Sequence, residues 1–184
     1  MDLRMVKTRQ QIKAAFLKLR ERFMPDKIKV KDICEMAMIN KTTFYHHYTD
    51  SWELSNEIDD NAIERVLSDF DERDKIFDDP KAYIVGLLQA LEQEAEYLKL
   101  VFRGKQEVLC GKLEKRLHDE YDSRVKNDDD RIRLSFAIGG FISVVKDYIL
   151  NDAKKDIALL TENTAYMLEL LLKKERPLLE GATQ

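Results

Sequence analysis

From Ile12 to Leu171 apolar side chains return every three or four residues, in stretch after stretch, and little interrupts them. That period belongs to a helix with one buried face, whereas a half-buried strand alternates every second residue. Proline and glycine punctuate folds rich in turns, and here they number only 3 and 6 in 184 residues. No stretch reads as a strand, and there is no internal repeat or low-complexity tract. The expected fold class is all-α, with about eight helices read from the periodic stretches. A hydrophobic content of 44% supplies a core, and 36% charged residues suit the outer faces of such helices.

Local signals divide the chain. Thr8, with Gln11 three residues on, reads as a capping box opening the first helix. Its stripe is Ile12, Phe16, Leu19 and Phe23, and Met24-Pro25-Asp26 ends it, since proline cannot extend a helix. Two short helices follow, one from Val30 to about Ala37 and one from near Lys41 through Tyr48. Asp50 is placed to cap the next helix, with Glu53 placed to answer it. That long helix runs from Ser51 towards Phe70 and carries Leu54, Ile58, Ala62, Val66 and Phe70 along one side. Asp78-Asp79-Pro80 is the clearest boundary, with four more helical stretches expected over 81–102, 105–126, 131–151 and 156–176. The expected domains are a head at 1–50, a connecting helix at about 51–72, and a helical body over 51–184.

The net charge of −4 conceals an asymmetry. Residues 1–49 hold 11 Lys/Arg against five Asp/Glu, a net of +6, and the remainder holds 20 against 30, a net of −10. Phosphate attraction is local, because charges are screened over about 8–10 Å at physiological salt. A basic head can therefore attract nucleic acid although the whole chain has a pI of 5.5.

Other classes find little support. Charge interrupts every apolar stretch before the ~18 residues that a membrane span needs, and MDLRMVKTRQQ lacks the apolar core of a secretory signal. The expectation is a cytoplasmic chain with no membrane partner. Cys34 and Cys110 lie in amphipathic stretches and read as buried free thiols. His46 and His47 diverge by roughly 100° on a helix and do not easily share a metal. His118 is a lone histidine on an amphipathic helix, and Glu92, Glu94 and Glu96 read as a solvated face. No Ser/His/Asp order, phosphate-binding glycine loop or metal-ligand spacing stands out, so no enzyme, cofactor or metal is expected.

Residues 30–48, VKDICEMAMINKTTFYHHY, carry the functional signal. Two short helices joined by a tight turn are the helix-turn-helix plan, whose second helix enters the major groove and contacts bases through its N-terminal residues. Lys41 and Thr42 are the first candidates for base contacts. Thr43, Tyr45 and His47 are candidates for phosphates, with Asn40, Lys29 and Lys31 in support. Phe44 is expected to point back and hold the helix on its scaffold.

The run Lys41-Thr-Thr-Phe-Tyr-His-His-Tyr-Thr-Asp-Ser-Trp-Glu-Leu54 resembles the pattern of the TetR/AcrR family of transcriptional regulators. There a T-[LF]-Y-x-H-[FY] run precedes an Asp-Lys-x-x-Leu helix start. Val30-Lys-Asp-Ile33 and Ala37 are similar to the family's preceding segment, and Arg9, Ile12 and Ala15 to its opening helix. The likeness covers about residues 8–58, and the Ile39–Tyr48 run is nearest to regulators of dihydroxyacetone kinase operons. It implies a regulator, in most relatives a repressor, that binds a pseudo-palindromic operator on double-stranded DNA as a homodimer. It also implies a small-molecule effector enclosed by the middle helices, whose identity the sequence does not reveal. Three positions depart from the family. Met38 stands at the usual turn glycine, so the turn is made either without positive φ or with strain. Lys29 stands at an N-cap usually held by Ser or Thr, and Ser51 replaces a lysine that touches the DNA backbone.

Dimerisation is expected through the last two stretches. Leu134, Ile138, Phe141, Val145 and Tyr148 form one seam, and Ile157, Leu160, Thr164, Met167 and Leu171 another, unless both serve the chain's own core. Gly139-Gly140 would permit close helix approach. Tyr97, Phe102, Tyr121 and Phe136 are candidates to line an effector pocket, although aromatic residues at helical spacing are more often core. The runner-up function is a helical interaction protein that keeps the fold and has lost operator binding.

Overall fold

A computed structural model of the chain describes residues 3–68, 73–76, 78–150 and 156–172, without the side chains at 73, 74, 148–150 and 157. Among the described residues there are nine α-helices, three short 3-10 turns and no strand. No helix among them is long and apolar enough to cross a membrane. Contacts gather into two compact units. One comprises the chain up to Val66 together with Glu94–Leu109, and the other comprises Leu67–Gln93 together with the chain from Cys110 onwards. The units therefore do not divide at residue 50, where the head was expected to end.

The first unit opens with α1 (Leu3–Arg20). This helix starts before the expected cap at Thr8, which lies inside it, because nothing in Leu3-Arg4-Met5-Val6-Lys7 breaks a helix. It buries Ile12, Ala15, Phe16, Leu19 and Arg20. Phe23 does not continue the stripe, since the helix ends at Arg20 and Phe23 is 44% exposed. The residue before a proline is pushed out of helical ψ, and Met24 indeed has ψ 153° ahead of the 3-10 turn Pro25–Lys27. The chain leaves the helix before it reaches that constraint.

Helices α2 (Val30–Ala37), α3 (Lys41–Tyr45) and α4 (Ser51–Ser68) follow. α2 packs on α1 and on α3. Leu54, Ile58, Ala62 and Val66 of α4 are buried as their spacing predicted, while Phe70 lies outside the described residues. The expected helix over 81–102 is two helices, α5 (Pro80–Gln93) and α6 (Ala95–Phe102), broken at Glu94, where ψ is 4°. Only α6 belongs to the first unit, and it packs on α1.

Charged groups hold α6 there. Arg20 is almost fully buried and donates to the carbonyls of Phe23, Leu100, Val101 and Arg103 at 3.1, 3.2, 3.2 and 2.6 Å. A guanidinium on the last carbonyls of a helix satisfies acceptors that the helix itself cannot, and it faces the negative end of the dipole. Burial lowers the pKa of Arg20. Lys105 donates to Ser55 at 2.8 Å and forms a buried ion pair with Asp59 of α4. Arg65 pairs with Glu94 at 2.8 Å and sits 4.6 Å above the Tyr97 ring.

The second unit holds α5, most of α7 (Gln106–Tyr121), α8 (Asp128–Leu150) and α9 (Ile157–Leu172), with α9 packed on both α5 and α8. Its helix starts are capped by acid and amide side chains. Asp79 accepts from the Ala82 N–H at 3.0 Å ahead of Pro80, Asn127 from Asp130 at 2.9 Å, and Asp156 from Ala158 at 3.0 Å.

The expected dimer seam needs correction. Leu134, Ile138, Phe141 and Val145 are buried within the chain, as is Thr164, so this stripe is intramolecular core. Tyr148 and Ile157 lie outside the described side chains. Of the α9 set only Met167 stays exposed, at 56%, while Leu160 and Leu171 are half-buried. The apolar groups left uncovered lie elsewhere on the same two helices: Ile132 and Phe136 on α8, and Leu159, Tyr166, Met167 and Leu170 on α9. Phe136 is 69% exposed. A groove of about 520 Å³ runs between the helices, lined by Phe136, Gly140, Val144, Leu159, Asn163 and Met167 among others. No atom lies within 4 Å of a Cβ placed at Gly139 or Gly140, so no close approach within the chain requires either glycine.

Candidate nucleic-acid interface

The turn between α2 and α3 is made at positive φ. Met38 adopts φ 53° and ψ 45°, the only non-glycine residue among those described to do so. The turn closes with N–H donation from Met38 to the Glu35 carbonyl at 3.2 Å and from Ile39 to the Cys34 carbonyl at 3.0 Å. This is the usual way a helix ends on a left-handed residue, and glycine is preferred there because Cβ crowds the following carbonyl. Met38 is 91% exposed, so no packing compensates the strain.

At the start of α2 the Lys29 side chain offers no acceptor. The Lys29 N–H instead donates to the Asp32 carboxylate at 3.2 Å, half of a capping box. Asn40 has a structural duty. It is the N-cap of α3, its side-chain oxygen accepting from the Thr43 N–H at 2.7 Å. The expected helix through Tyr48 is shorter, because α3 ends at Tyr45 and the His47 and Tyr48 N–H groups both close back on the Phe44 carbonyl, at 2.9 and 3.0 Å.

The candidate contact residues sort by exposure. Lys29, Lys31, Lys41, Thr42 and Tyr45 are exposed, as is Asn40, while Thr43 and His47 are half-buried. Phe44 is fully buried, as expected of the residue that anchors the helix. Burial raises the Cys34 thiol above its ordinary pKa, with nearby Lys41 pulling the other way. Cys34 is thus an inert thiol under α3, and Cys110 is half-buried rather than buried.

At the entry to α4, Asp50 caps as predicted, its carboxylate accepting from the Trp52 and Glu53 N–H groups at 2.8 Å each. Glu53 does not answer Asp50. It accepts from the Thr49 N–H and hydroxyl at 2.6 and 2.8 Å, which lower its pKa. Ser51 and the exposed Trp52 form the first turn.

Sequence reasoning missed a charged cluster behind this surface. Arg9 of α1 donates to the Tyr48 hydroxyl at 3.2 Å and to the Glu57 carboxylate at 2.9 Å, and its guanidinium lies 5.3 Å over the Tyr48 ring. Lys13 pairs with the other Glu57 oxygen at 2.7 Å. Burial works against the charged form of Glu57, but hydrogen bonds from Lys13, Arg9 and Tyr48 outweigh it and hold its pKa down at about 2. Burial and the bond to Glu57 push the Tyr48 phenol far above its usual range. Arg9 and Lys13 are four residues apart on one flank of α1, a pairing of cations that calls for an acid across from it.

The candidate pocket aromatics play separate parts. Phe102 is fully buried in the first unit, and Tyr97 lies half-buried beneath Arg65. In the second unit Tyr121 is buried and hydrogen-bonded to Tyr83, while Phe136 is exposed. No group of three or more metal-ligating side chains occurs among the described residues.

Compared with known protein families the chain matches no family model, and no curated protein matches its sequence.

Proposed function

We propose that the chain is a sequence-specific, DNA-binding transcriptional regulator of the TetR type. The observation that carries this reading is α3 with its approach. A five-residue helix is anchored by one buried ring, Phe44, and exposes Lys41, Thr42 and Tyr45, in a segment of the chain whose net charge is +6. With α2 and the turn at Met38 it makes a helix-turn-helix head, in which α3 enters the major groove. Lys41 and Thr42 are assigned to base edges, and Tyr45, Thr43 and His47 to phosphates. Lys29 and Lys31 add phosphate attraction, and Asn40 contributes through the cap it provides.

The protein acts as a homodimer on two half-sites, in the cytoplasm, most simply as a repressor. Support for the dimer comes from the uncovered groove of α8 and α9. A contiguous apolar surface lined by Phe136, Leu159 and Met167 marks an interaction site, and Gly140 in the same lining lets a second backbone approach. This surface replaces the buried seam first expected. We assign no catalytic role and no cofactor, and the effector keeps no chemical identity here.

Fluorescence anisotropy against DNA from upstream of the chain's own gene, with excess nonspecific competitor and at two salt concentrations, tests the proposal. Competitor-resistant binding that saturates at two chains per site is expected. Lys41→Ala should then alter sequence preference as well as affinity. Binding that competitor and salt abolish equally means phosphate attraction alone. It would favour the runner-up, a helical interaction protein, for which the strained turn at Met38 and the neutral Ser51 speak.

A further inference from the structure

We propose that Glu57, acting through Arg9 and the Tyr48 hydroxyl, is a positioning residue for the DNA-facing segment 41–48. This rests on the DNA-binding reading of that segment. The argument begins with the length of α3. A helix of five residues has no stability of its own, because nucleation consumes more conformational freedom than its few hydrogen bonds return. It must be held by tertiary contacts, and over 41–48 only Phe44 and Tyr48 are buried. Phe44 sits under the middle of the helix. Tyr48 lies past its end, with its ring 5.8 Å from that of Phe44, which in turn meets the exposed Tyr45 ring edge-on at 5.6 Å.

Tyr48 is thus the second nail of the segment, and its buried hydroxyl is fixed by charge. Arg9 is bound on three sides, by the Tyr48 hydroxyl, the Glu57 carboxylate and the Tyr48 ring. Lys13 holds the remaining Glu57 oxygen. A cation so engaged serves geometry, so Arg9 is assigned to holding the segment and not to gripping phosphate. Removing the Glu57 charge releases Arg9, and with it the hydroxyl that pins the turn after α3.

Three variants test this in the full-length protein: Glu57→Gln, Tyr48→Phe and the two combined. With affinity taken per folded chain from circular dichroism, Glu57→Gln should weaken binding to the upstream duplex by about tenfold, the size of one charge-assisted hydrogen bond. The slope of affinity against salt should stay unchanged, because no phosphate contact is lost. The double variant should be no weaker than Glu57→Gln alone, since both act through one hydroxyl. Unchanged affinity in folded Glu57→Gln overturns the proposal. So does tighter, more salt-sensitive binding to competitor DNA, which would mean that Glu57 withholds Arg9 and Lys13 from phosphates. Hydrogen exchange at His46, His47 and Tyr48 supplies a readout free of DNA. Faster exchange there in Glu57→Gln, with α1 unchanged, supports positioning, and unaltered exchange refutes it. If the wild type prefers no duplex over competitor, the DNA-binding reading falls, and exchange alone decides whether Glu57 holds the segment.

Discussion

Replacing Met38 with glycine should stabilise the protein, and the structure gives the size of the gain. Met38 sits at φ 53° and ψ 45°, where the Cβ of an L-residue costs roughly 1–2 kcal/mol. Glycine removes that cost. It also adds freedom to the unfolded chain, which takes back about 0.5–1 kcal/mol. The side chain contributes no packing, since Met38 is 91% exposed, and the turn's hydrogen bonds run through backbone that glycine retains. The net is a gain of about 0.5–1 kcal/mol, or a rise in Tm of about 1–4 °C for a chain of this size. Urea and thermal melts followed at 222 nm measure it. Two companions isolate the cause. Met38→Ala keeps the Cβ and should change stability little, while Met38→Asn, which tolerates the left-handed region, should fall between alanine and glycine. If alanine stabilises as much as glycine, or glycine destabilises, the strain is not located at this Cβ and the reasoning fails.

Three further outcomes follow from the geometry. Lys105→Met leaves the Asp59 carboxylate buried without its ammonium and should cost about 3–5 kcal/mol in a urea melt, much of it recovered by adding Asp59→Leu. Phe136→Glu places a charge on the uncovered groove of α8 and α9 and should shift sedimentation equilibrium towards monomer without lowering Tm of the monomer, whereas an unchanged mass would place the dimer contact elsewhere. Glu57 has a folded pKa of about 2, below its ordinary value of 4.5, so its contribution is complete above the ordinary value and is lost as pH falls from there towards 2. Acid melts of the wild type should therefore show a stability loss across that window that is smaller in Glu57→Gln.

Much of the fold was legible because the signals were local. Apolar spacing located the helices, and Asp50 and Pro80 marked starts among them, since capping and proline geometry are decided within a few residues. The breaks that failed were decided at longer range. Nothing next to Glu94 announces the kink between α5 and α6, but Arg65, nearly thirty residues earlier in sequence, binds its carboxylate. The buried and exposed stripes of α8 and α9 were confused for a related reason. A helix packed on its own chain on one side and left bare on another carries two apolar stripes, and period alone cannot say which is which. At the candidate site the surface residues were readable from one segment of sequence. The cap that Asn40 gives α3 went unread beside its candidate contact role, and the support from Glu57 and Lys13 joins α4 to α1 across more than forty residues. Ion pairs at that distance leave no periodic trace.

These long-range charges bear on where the head ends. A head of residues 1–50, followed by a long connecting helix, is what the sequence suggests. Yet the first unit includes Glu94–Leu109, and its ties are polar and deep. Arg20 satisfies three carbonyls at the end of α6, and Lys105 neutralises Asp59, which is almost fully buried on α4. Leu98, Val101 and Phe102 add apolar surface that is no more than 1% exposed. A fragment ending at residue 68 loses all of this, and it leaves the Asp59 carboxylate without the ammonium beside it. Small domains have little stability to spare, so the loss should be decisive. The fragment 1–68 is expected to show poor dispersion in amide NMR spectra and a broad, early thermal transition, although α1 to α4 are all present in it. A sharp transition as high as that of the full chain would mean that α1 to α4 fold alone and that residues 94–109 merely rest on them.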